Sequence, residues 1–247
     1  MVEWFEDEAY WIECYAYLFS DERLDNAARQ VRQILALTGL SGGSVLDLCC
    51  GPGSHAVALA QQGLCVTGVD RSRFLLARAR ERAETASVEV EFILDDMRRF
   101  VRPQAFDCVI NMYSSFGYFE NAEDDLLVLR NVHNSLKPGG VCLIDMVSQE
   151  WLANFVEPLH TSKEPDGTVF IQHHEIINEG TRQVTRWTII KGAQERSFKF
   201  SIRIYSGQEL KERMLKAGFA EVDLYSDLEG RKYGRTADRL IAVGRKA

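Results

Sequence analysis

The sequence lacks the features that mark several large classes of protein. No apolar run approaches the roughly 20 residues that a membrane-spanning helix needs. No stretch is rich in lysine and arginine, and the net charge is −7 with a pI of about 5.4. Because proteins that bind phosphate backbones generally carry a basic face, we expect neither a nucleic-acid partner nor a membrane partner.

Cysteine usage gives no sign of a disulfide framework or a metal centre. The six cysteines stand at 14, 49, 50, 65, 108 and 142, and none forms a C-x-x-C pair. Four of them (49, 65, 108 and 142) lie in or beside apolar runs, which favours buried free thiols and a reducing compartment. No spacing of His, Cys and carboxylates is typical of a metal site, so no metal is expected. The acidic N-terminus does not resemble a signal peptide, and a cytoplasmic location is predicted.

Apolar strands and helices alternate through the first part of the chain. The 247 residues are 46% hydrophobic, enough for one large α/β domain. An aromatic-rich helical segment over 4–20 precedes a helix that Asp21 is expected to cap. Continuous apolar strands separated by helices then predict a parallel sheet that is covered on both faces. These strands are predicted at 45–48, 65–69, 88–94, 106–111 and 141–146.

The pattern changes after residue 146. Extended segments are predicted at 168–177, 181–191 and 196–205, and strict alternation in the last of them indicates a half-buried antiparallel strand. A capping box of Ser206 and Glu209 predicts a helix that ends at Gly218, followed by strands at 220–225 and 239–244.

These patterns divide the chain into four parts. We expect a helical lid, a ligand-binding core, an antiparallel β insertion on the substrate side or against a second subunit, and a C-terminal helix with the last two core strands. The four parts span residues 1–40, 41–146, 147–205 and 206–247.

The stretch "SVLDLCCGPG" after the first strand predicts a site for a nucleoside-containing ligand. Gly51 and Gly53 allow a ligand to approach the backbone, and the next helix presents its N-terminus. Asp70 ends the second strand, 23 residues after Asp47, where a carboxylate can accept ribose hydroxyls. A dinucleotide site would favour a third glycine where Ala56 stands. Asp47 would also repel a pyrophosphate, whereas it suits an ammonium group.

Several motifs resemble those of class I S-adenosylmethionine-dependent methyltransferases. "VLDLCCGPG" is similar to the family's first motif, although Cys49 replaces a usual glycine and must then fit a non-glycine backbone conformation. "ILDDMRRF", "FDCVINMYSSFGYF", "LKPGG" and "LKAGFAEVDLY" resemble later motifs. The resemblance spans about residues 40–146 and 206–247. It implies a Rossmann-like α/β fold with a mostly parallel sheet and an antiparallel last strand. The aromatic N-terminal helices and the β insertion are similar to those of glycine and aminosugar N-methyltransferases.

The resemblance implies S-adenosylmethionine as cofactor and a set of site residues. Tyr113, His173 and His174 are candidate catalytic residues, although methyl transfer requires no fixed catalytic group. Candidate substrate-binding residues are Tyr113, Tyr118, Arg203 and Tyr205. His55 either contacts the cofactor or only begins a helix, and Asp95 is the alternative to Asp96. Candidate cofactor-binding residues are Asp47, Cys49, Gly51, Gly53, Asp70, Arg71, Asp96, Met97, Asn111, Met112, Tyr15, Tyr17 and Arg23.

The function predicted from these motifs is methyl transfer to a small molecule, at nitrogen or oxygen, by in-line displacement. Three alternatives stay open at this point. They are an NAD-type oxidoreductase, a non-catalytic S-adenosylmethionine-binding protein, and an RNA or protein methyltransferase. A homo-oligomer is also left open.

Overall fold

The computed structural model describes residues 3–155, 157–164 and 166–247. Its helices are α1 (Glu8–Leu18), α2 (Asp21–Asp25), α3 (Ala27–Thr38), α4 (Ser54–Gln61), α5 (Arg73–Thr85), α6 (Ala122–Ser135), α7 (Gln149–Phe155) and α8 (Gly207–Ala217). Its strands are β1 (Ser44–Leu48), β2 (Cys65–Asp70), β3 (Glu91–Leu94), β4 (Phe106–Asn111), β5 (Leu136–Met146), β6 (Leu159–Lys163), β7 (Val169–Ile177), β8 (Arg182–Lys191), β9 (Gln194–Arg203), β10 (Glu221–Tyr225) and β11 (Leu240–Arg245).

The larger sheet has seven strands in the order β10-β11-β5-β4-β1-β2-β3. The pairs from β3 through β5 are parallel, and β11 runs antiparallel to both of its neighbours. The predicted Rossmann-like sheet with an antiparallel last strand is therefore confirmed. The chain moves outward from β1 to β3 and then returns to β4 on the other side of β1. This switch in strand order places a crevice at the carboxyl ends of β1 and β4.

Helices cover both faces of this sheet, because its central strands are apolar on both sides. Leu46 and Val109 pack in one cluster with residues of α6 and α8. Val45 and Ile110 pack in a second cluster with residues of α3 and α4. Such two-sided burial is what continuous apolar strands predict.

The β insertion forms a separate four-stranded antiparallel sheet in the order β6-β7-β8-β9. Residues paired across its strands share a face, and one face carries Phe170, Trp187 and Phe200. That face packs on Tyr10 and Cys14 of α1. The insertion and the N-terminal segment thus form one apolar layer.

Local capping rules hold at several helix ends. Ser72 caps α5, Ser206 and Glu209 form a capping box on α8, and Gly39 and Gly218 end α3 and α8 in left-handed conformation. All of these are as predicted.

Other local predictions need correction. Ser20, not Asp21, caps α2, since the Ser20 side chain accepts from the Arg23 amide. Cys65 is exposed rather than buried, because it begins β2 at the open end of the sheet. Helix α7 and strand β6 were not predicted, and β3 begins only at Glu91. The four-part division of the chain stays a prediction, and Met1, Val2, Val156 and Pro165 lie outside the described residues.

Candidate active site

A cavity of about 240 Å³ opens at the carboxyl ends of β1 through β4. Its floor is made by the loops that follow these strands. Its cover is made by the N-terminal strap (residues 3–18) and by the inner face of the β insertion. The strap and the insertion thus partly cover the crevice at the switch in strand order.

Asp47 reaches this cavity from β1 and is almost completely buried. Its Oδ2 has no hydrogen-bond partner among the residues that the structure describes. Burial, and then the charge of Asp70, raises the pKa of the Asp47 carboxyl to about 7. Because a buried carboxylate without a partner is costly, the site favours a cation next to Asp47.

Three residues of the loop after β1 have the positive φ values that favour glycine. Gly51 and Gly53 have φ values of 55° and 78°. A Cβ on Gly53 would lie 2.8 Å from the Ala79 Cβ, so glycine also permits close packing against α5. Cys49 has a φ of 62°, and the expectation of a non-glycine conformation there is wrong. Its Sγ lies 3.5 Å from the Met97 Sδ, in the floor of the cavity.

Asp70 ends β2, and its carboxylate is oriented by backbone amides. Its Oδ2 accepts from the Gly51 amide at 2.8 Å and its Oδ1 from the Ser72 amide at 2.9 Å. Burial raises the pKa of this carboxyl, and hydrogen bonds from the backbone amides of Ser72, Gly51 and Arg71 oppose part of the shift. Each oxygen retains a lone pair for a hydroxyl donor.

Asp96 follows β3 and is bound by two arginines. Its Oδ2 accepts from Arg71 at 2.5 Å and from Arg98 at 2.7 Å. Burial raises the pKa of the Asp96 carboxyl, but the hydrogen bonds and charge of Arg98 outweigh it, so the net pKa is lowered. Asp95, the alternative, also lines the cavity and binds the Arg99 side chain.

The loop after β4 brings Tyr113 and Tyr118 to the cavity, as the position of the motif predicted. The Tyr113 hydroxyl donates to the Gln30 Oε1 at 2.9 Å, and the His55 Nε2 lies 3.0 Å from the same oxygen. Burial lowers the pKa of His55 to about 4, so the ring is neutral near pH 7. The Tyr113 phenol and His55 are therefore engaged with α3.

Arg23 lies over the Tyr113 ring at 3.8 Å from its centroid. Its guanidinium also donates to the Leu18 carbonyl at 2.6 Å. Met112 lines the cavity, whereas Asn111 lies behind it and donates to the Leu48 carbonyl at 2.9 Å. Asn111 therefore supports the end of β1 rather than forming part of the cavity wall.

The N-terminal strap is held over the cavity by three glutamates. Glu3 pairs with Arg98 at 2.8 Å, and Glu6 pairs with Arg71. Glu8 accepts from the Arg73 amide at 2.7 Å, at the start of α5. These contacts orient the strap so that Trp4, Tyr10 and Trp11 face the cavity.

Two tyrosines that were predicted to contact the cofactor lie outside the cavity. Tyr17 stacks on Phe170 of the insertion, with ring centroids 4.5 Å apart. Tyr15 packs on Phe19 and Phe74 instead. The structure therefore corrects this assignment, because both rings are packed against other aromatic side chains and neither lines the cavity.

The four candidates from the insertion also lie outside the cavity. His173 and His174 occupy opposite faces of β7, as alternation predicted, but the Nδ1 of His174 is bonded to Thr185 and Gln183. Arg203 and Tyr205 are directed toward α6. The Tyr205 hydroxyl donates to Asp125 at 2.6 Å, and the Arg203 Nε lies 3.5 Å from the same carboxylate. These two residues join the insertion to the core and do not form the predicted substrate wall.

Sequence reasoning missed several residues of the cavity's cover, among them Trp187, Phe200 and Ile202. For Phe200 and Ile202 the signal was present in the alternation of β9, which marks them as one face. Which element that face covers depends on long-range packing and could not be read from the alternation.

The described residues contain no helix that is both long enough and apolar enough to cross a membrane. Within the same part of the chain, no group of three or more His, Cys, Asp or Glu side chains is placed to hold a metal ion. The predicted cytoplasmic location and the oligomeric state stay predictions.

Comparison with known proteins finds a methyltransferase domain and several methyltransferases that resemble this chain. Residues 45–140, which carry β1 through the start of β5, match the model of a methyltransferase domain. A putative methyltransferase of Geobacillus sp. (strain WCH70) is 26% identical over 98% of this chain and 99% of its own. The chain carries a methyltransferase domain, and its relatives and structural neighbours support an S-adenosylmethionine-dependent methyltransferase. They also support S-adenosylmethionine as the cofactor of this methyltransferase.

Two further proteins that this methyltransferase resembles are a sequence match and a solved structure. The dTDP-3-amino-3,4,6-trideoxy-alpha-D-glucopyranose N,N-dimethyltransferase of Streptomyces venezuelae is 30% identical over 41% of either chain. The crystal structure of an S-adenosylmethionine-dependent methyltransferase from Clostridium acetobutylicum ATCC 824 has a TM-score of 0.81 at 15% identity. The alignment covers 97% of this chain and 98% of that one, so the two share a fold over their full lengths.

Proposed function

We propose that this methyltransferase transfers a methyl group to a nitrogen atom of a small-molecule acceptor by in-line displacement. The observation that carries the proposal is the cavity, which is partly covered by the strap and by the β insertion. Because the same cavity of about 240 Å³ also has to hold the cofactor, its cover favours a small acceptor over a segment of RNA or protein. One relative is an N,N-dimethyltransferase by name and another is an O-methyltransferase by name, so the choice of nitrogen rests on the residues of the cavity.

The residues at the ends of β1 to β3 fit S-adenosylmethionine. The unpartnered Oδ2 of Asp47 suits its ammonium group, and the oriented carboxylate of Asp70 suits its ribose hydroxyls. Gly51 leaves the backbone open beside them, and Asp96 with Met97 lines the end proposed for adenine. When bound, the cofactor supplies an electrophilic methyl group together with its leaving group. The protein's own contribution is to orient the acceptor and to exclude water.

The engagement of the cavity's titratable side chains with other partners favours nitrogen over oxygen. A hydroxyl acceptor must lose a proton as it attacks, whereas a neutral amine already carries a free electron pair. The Tyr113 hydroxyl is a donor to Gln30, and His55 is too weakly basic to hold a proton near pH 7. Asp47 is committed in this proposal to the ammonium group. A neutral nitrogen needs none of these residues for its attack.

Calorimetric binding of S-adenosylhomocysteine tests the cofactor site. Asp70→Ala should weaken this binding by roughly 1–3 kcal/mol, because a charge-assisted hydrogen bond is lost. Asp107→Ala is the matched control, since Asp107 stands near the opposite end of the sheet and bonds Ser44 and Lys137. It should leave the dissociation constant unchanged.

Two outcomes would contradict the proposal. Binding of NADH in place of S-adenosylhomocysteine would assign an oxidoreductase. Binding of S-adenosylmethionine without transfer of labelled methyl to any component of a metabolite extract would assign a non-catalytic binding protein. Equal effects of Asp70→Ala and Asp107→Ala would show that Asp70 does not contact the cofactor.

A further inference from the structure

Six aromatic residues form the part of the cavity that lies between the strap, the β4 loop and the insertion. Their rings contact one another, with Trp4 4.6 Å from Tyr118 and 5.1 Å from Phe200, and with Trp187 5.3 Å from Phe200, between centroids. We call this region the aromatic chamber. It is made of Trp4, Tyr10, Trp11, Tyr118, Trp187 and Phe200.

The chamber contains no residue that is charged near pH 7. Its titratable members are Tyr10 and Tyr118, and burial raises the pKa of both phenols. They therefore stay neutral. The indole N–H of Trp187 is buried and has no hydrogen-bond partner among the described residues, so one polar atom on a bound molecule could accept from it.

An anionic acceptor would have to compete for the two arginines that line the cavity. Arg71 is paired with Glu6 and Asp96, and Arg23 donates to the Leu18 carbonyl and is a candidate partner of the cofactor. Recognition of phosphate normally uses a free arginine fork or lysine, which the lining does not offer.

A cationic acceptor fits the chamber poorly as well. Aromatic faces attract cations, but no carboxylate belongs to the chamber, and the sulfonium of the cofactor carries a positive charge of its own. An alkylammonium must also lose its proton before it can attack. An aromatic amine avoids both costs, because it is largely unprotonated near pH 7 and its flat body stacks on aromatic rings.

We propose that the acceptor is an uncharged aromatic amine without a phosphate group, bound with its ring in the aromatic chamber. This inference rests on the proposed function. In the transfer, the amine nitrogen forms a bond to the methyl carbon while the carbon–sulfur bond breaks. The electron pair of that bond stays on sulfur, and the nitrogen then releases its proton to water.

Three probes with the same ring and different charges test this inference by calorimetry on protein saturated with S-adenosylhomocysteine. They are 1-naphthylamine (neutral), 1-naphthyl phosphate (anionic) and 1-naphthylmethylamine (cationic). 1-Naphthylamine should bind at least about ten-fold more tightly than either charged probe. Tighter binding of a charged probe overturns the inference, as does failure of 1-naphthylamine to bind. Failure of S-adenosylhomocysteine to bind would instead contradict the proposed function.

A change of charge at the edge of the chamber gives a second test. Ile202 lines the cavity, and Ile202→Lys should improve binding of 1-naphthyl phosphate by about ten-fold and weaken that of 1-naphthylamine. Ile190→Lys is the matched control, because Ile190 lies on the opposite face of the same sheet. It should change neither affinity. If both variants behave alike, the chamber is not where the probes bind.

Discussion

At the scale of single residues, Asp47 combines burial, an unpartnered oxygen and a raised pKa. Since the pKa of about 7 lies above the ordinary 3.8, this group stabilises the cofactor-free protein fully only below pH 4. That stability is lost as the pH rises through 7, by roughly 4 kcal/mol at most. Asp47→Asn should therefore show a flatter fall in unfolding free energy between pH 4 and 7 than the unchanged protein. Urea denaturation of both proteins across that range measures the two pH profiles. Subtracting one profile from the other removes the contributions of the other titrating groups.

The same carboxyl should make cofactor binding depend on pH. An ammonium partner favours ionised Asp47, so binding of S-adenosylhomocysteine should tighten between pH 6 and 8 and release protons. Asp47→Asn should bind more weakly and lose this dependence. Proton release is measured by calorimetry in two buffers of different ionisation enthalpy. An unchanged pH profile in Asp47→Asn would place the ammonium group elsewhere.

At Cys49 the positive φ should reverse the usual stabilising effect of alanine relative to glycine. An L-residue in the left-handed region costs about 1–2 kcal/mol, so Cys49→Gly should be more stable than Cys49→Ala by about 0.5–1 kcal/mol. Cys50 has no positive φ and provides the control. There the alanine variant should be more stable than the glycine variant. Chemical denaturation of the four variants decides the point, and the same order at both positions would refute the assigned conformation of Cys49.

At the scale of elements, the core sheet and its caps could be predicted because they follow local rules. Apolar strands such as β1 and β4 are recognisable by composition, and Ser72 and Ser206 act within one turn of their own helices. Strand β6 could not be predicted, because Leu159–Lys163 is mostly exposed and pairs only at one edge. The partners of Glu3, Glu6 and Glu8 are more than 60 residues away in the chain, and nothing in a single sequence indicates such pairs.

The strap offers a prediction about one element that caps another. Glu8 accepts from the amides of Arg73 and Phe74 and from the Ser72 hydroxyl, so it supplies a second cap to α5. Glu8→Ala should lower the free energy of opening the strap by about 1 kcal/mol, as loss of a cap does elsewhere. Hydrogen exchange of the α1 amides should then become roughly five-fold faster.

The control for this prediction is Glu13→Ala on the same helix. Glu13 pairs at 3.2 Å with Arg196, which is exposed, and such surface pairs contribute little. Exchange in α1 should change only slightly in this variant. Equal acceleration in both variants would mean that the strap is held by its aromatic packing and not by the cap on α5.

At the scale of the whole molecule, polar contacts join the insertion to the core. Arg182, on β8, donates to the Phe119 carbonyl at 2.7 Å. Arg203, on β9, donates to the Glu120 carbonyl at 2.8 Å. Because Tyr118 and Phe119 line the cavity, these contacts connect the position of the insertion to the shape of the site. Arg203, which was first expected to bind the substrate, thus supports the loop of Tyr118 and Phe119 that lines the cavity.

Tyr205 and Asp125 provide the sharpest test of this connection. Asp125 is fully buried, and burial raises the pKa of its carboxyl to about 6 although the Tyr205 hydroxyl opposes the shift. Tyr205→Phe leaves a buried carboxylate with one donor fewer and should cost about 1–3 kcal/mol of unfolding free energy at pH 8. The cost should be smaller at pH 5, because a raised pKa means that stability is lost as the pH rises through 6, where the carboxyl ionises. Urea denaturation at the two pH values measures both quantities.

A variant of a second tyrosine distinguishes two costs. One is the cost of leaving a buried carboxylate without its donor, and the other is the cost of losing the hydrogen bond itself. Tyr233 donates to Glu150 at the same 2.6 Å, but Glu150 is only half-buried and can be solvated when its donor is removed. Tyr233→Phe should therefore cost less than Tyr205→Phe and should depend less on pH. Adding Asp125→Asn to Tyr205→Phe should remove most of the pH dependence, since no buried charge then remains at that position. If the two tyrosine variants were equal at pH 5 and pH 8, burial of Asp125 would not be what joins the insertion to the core.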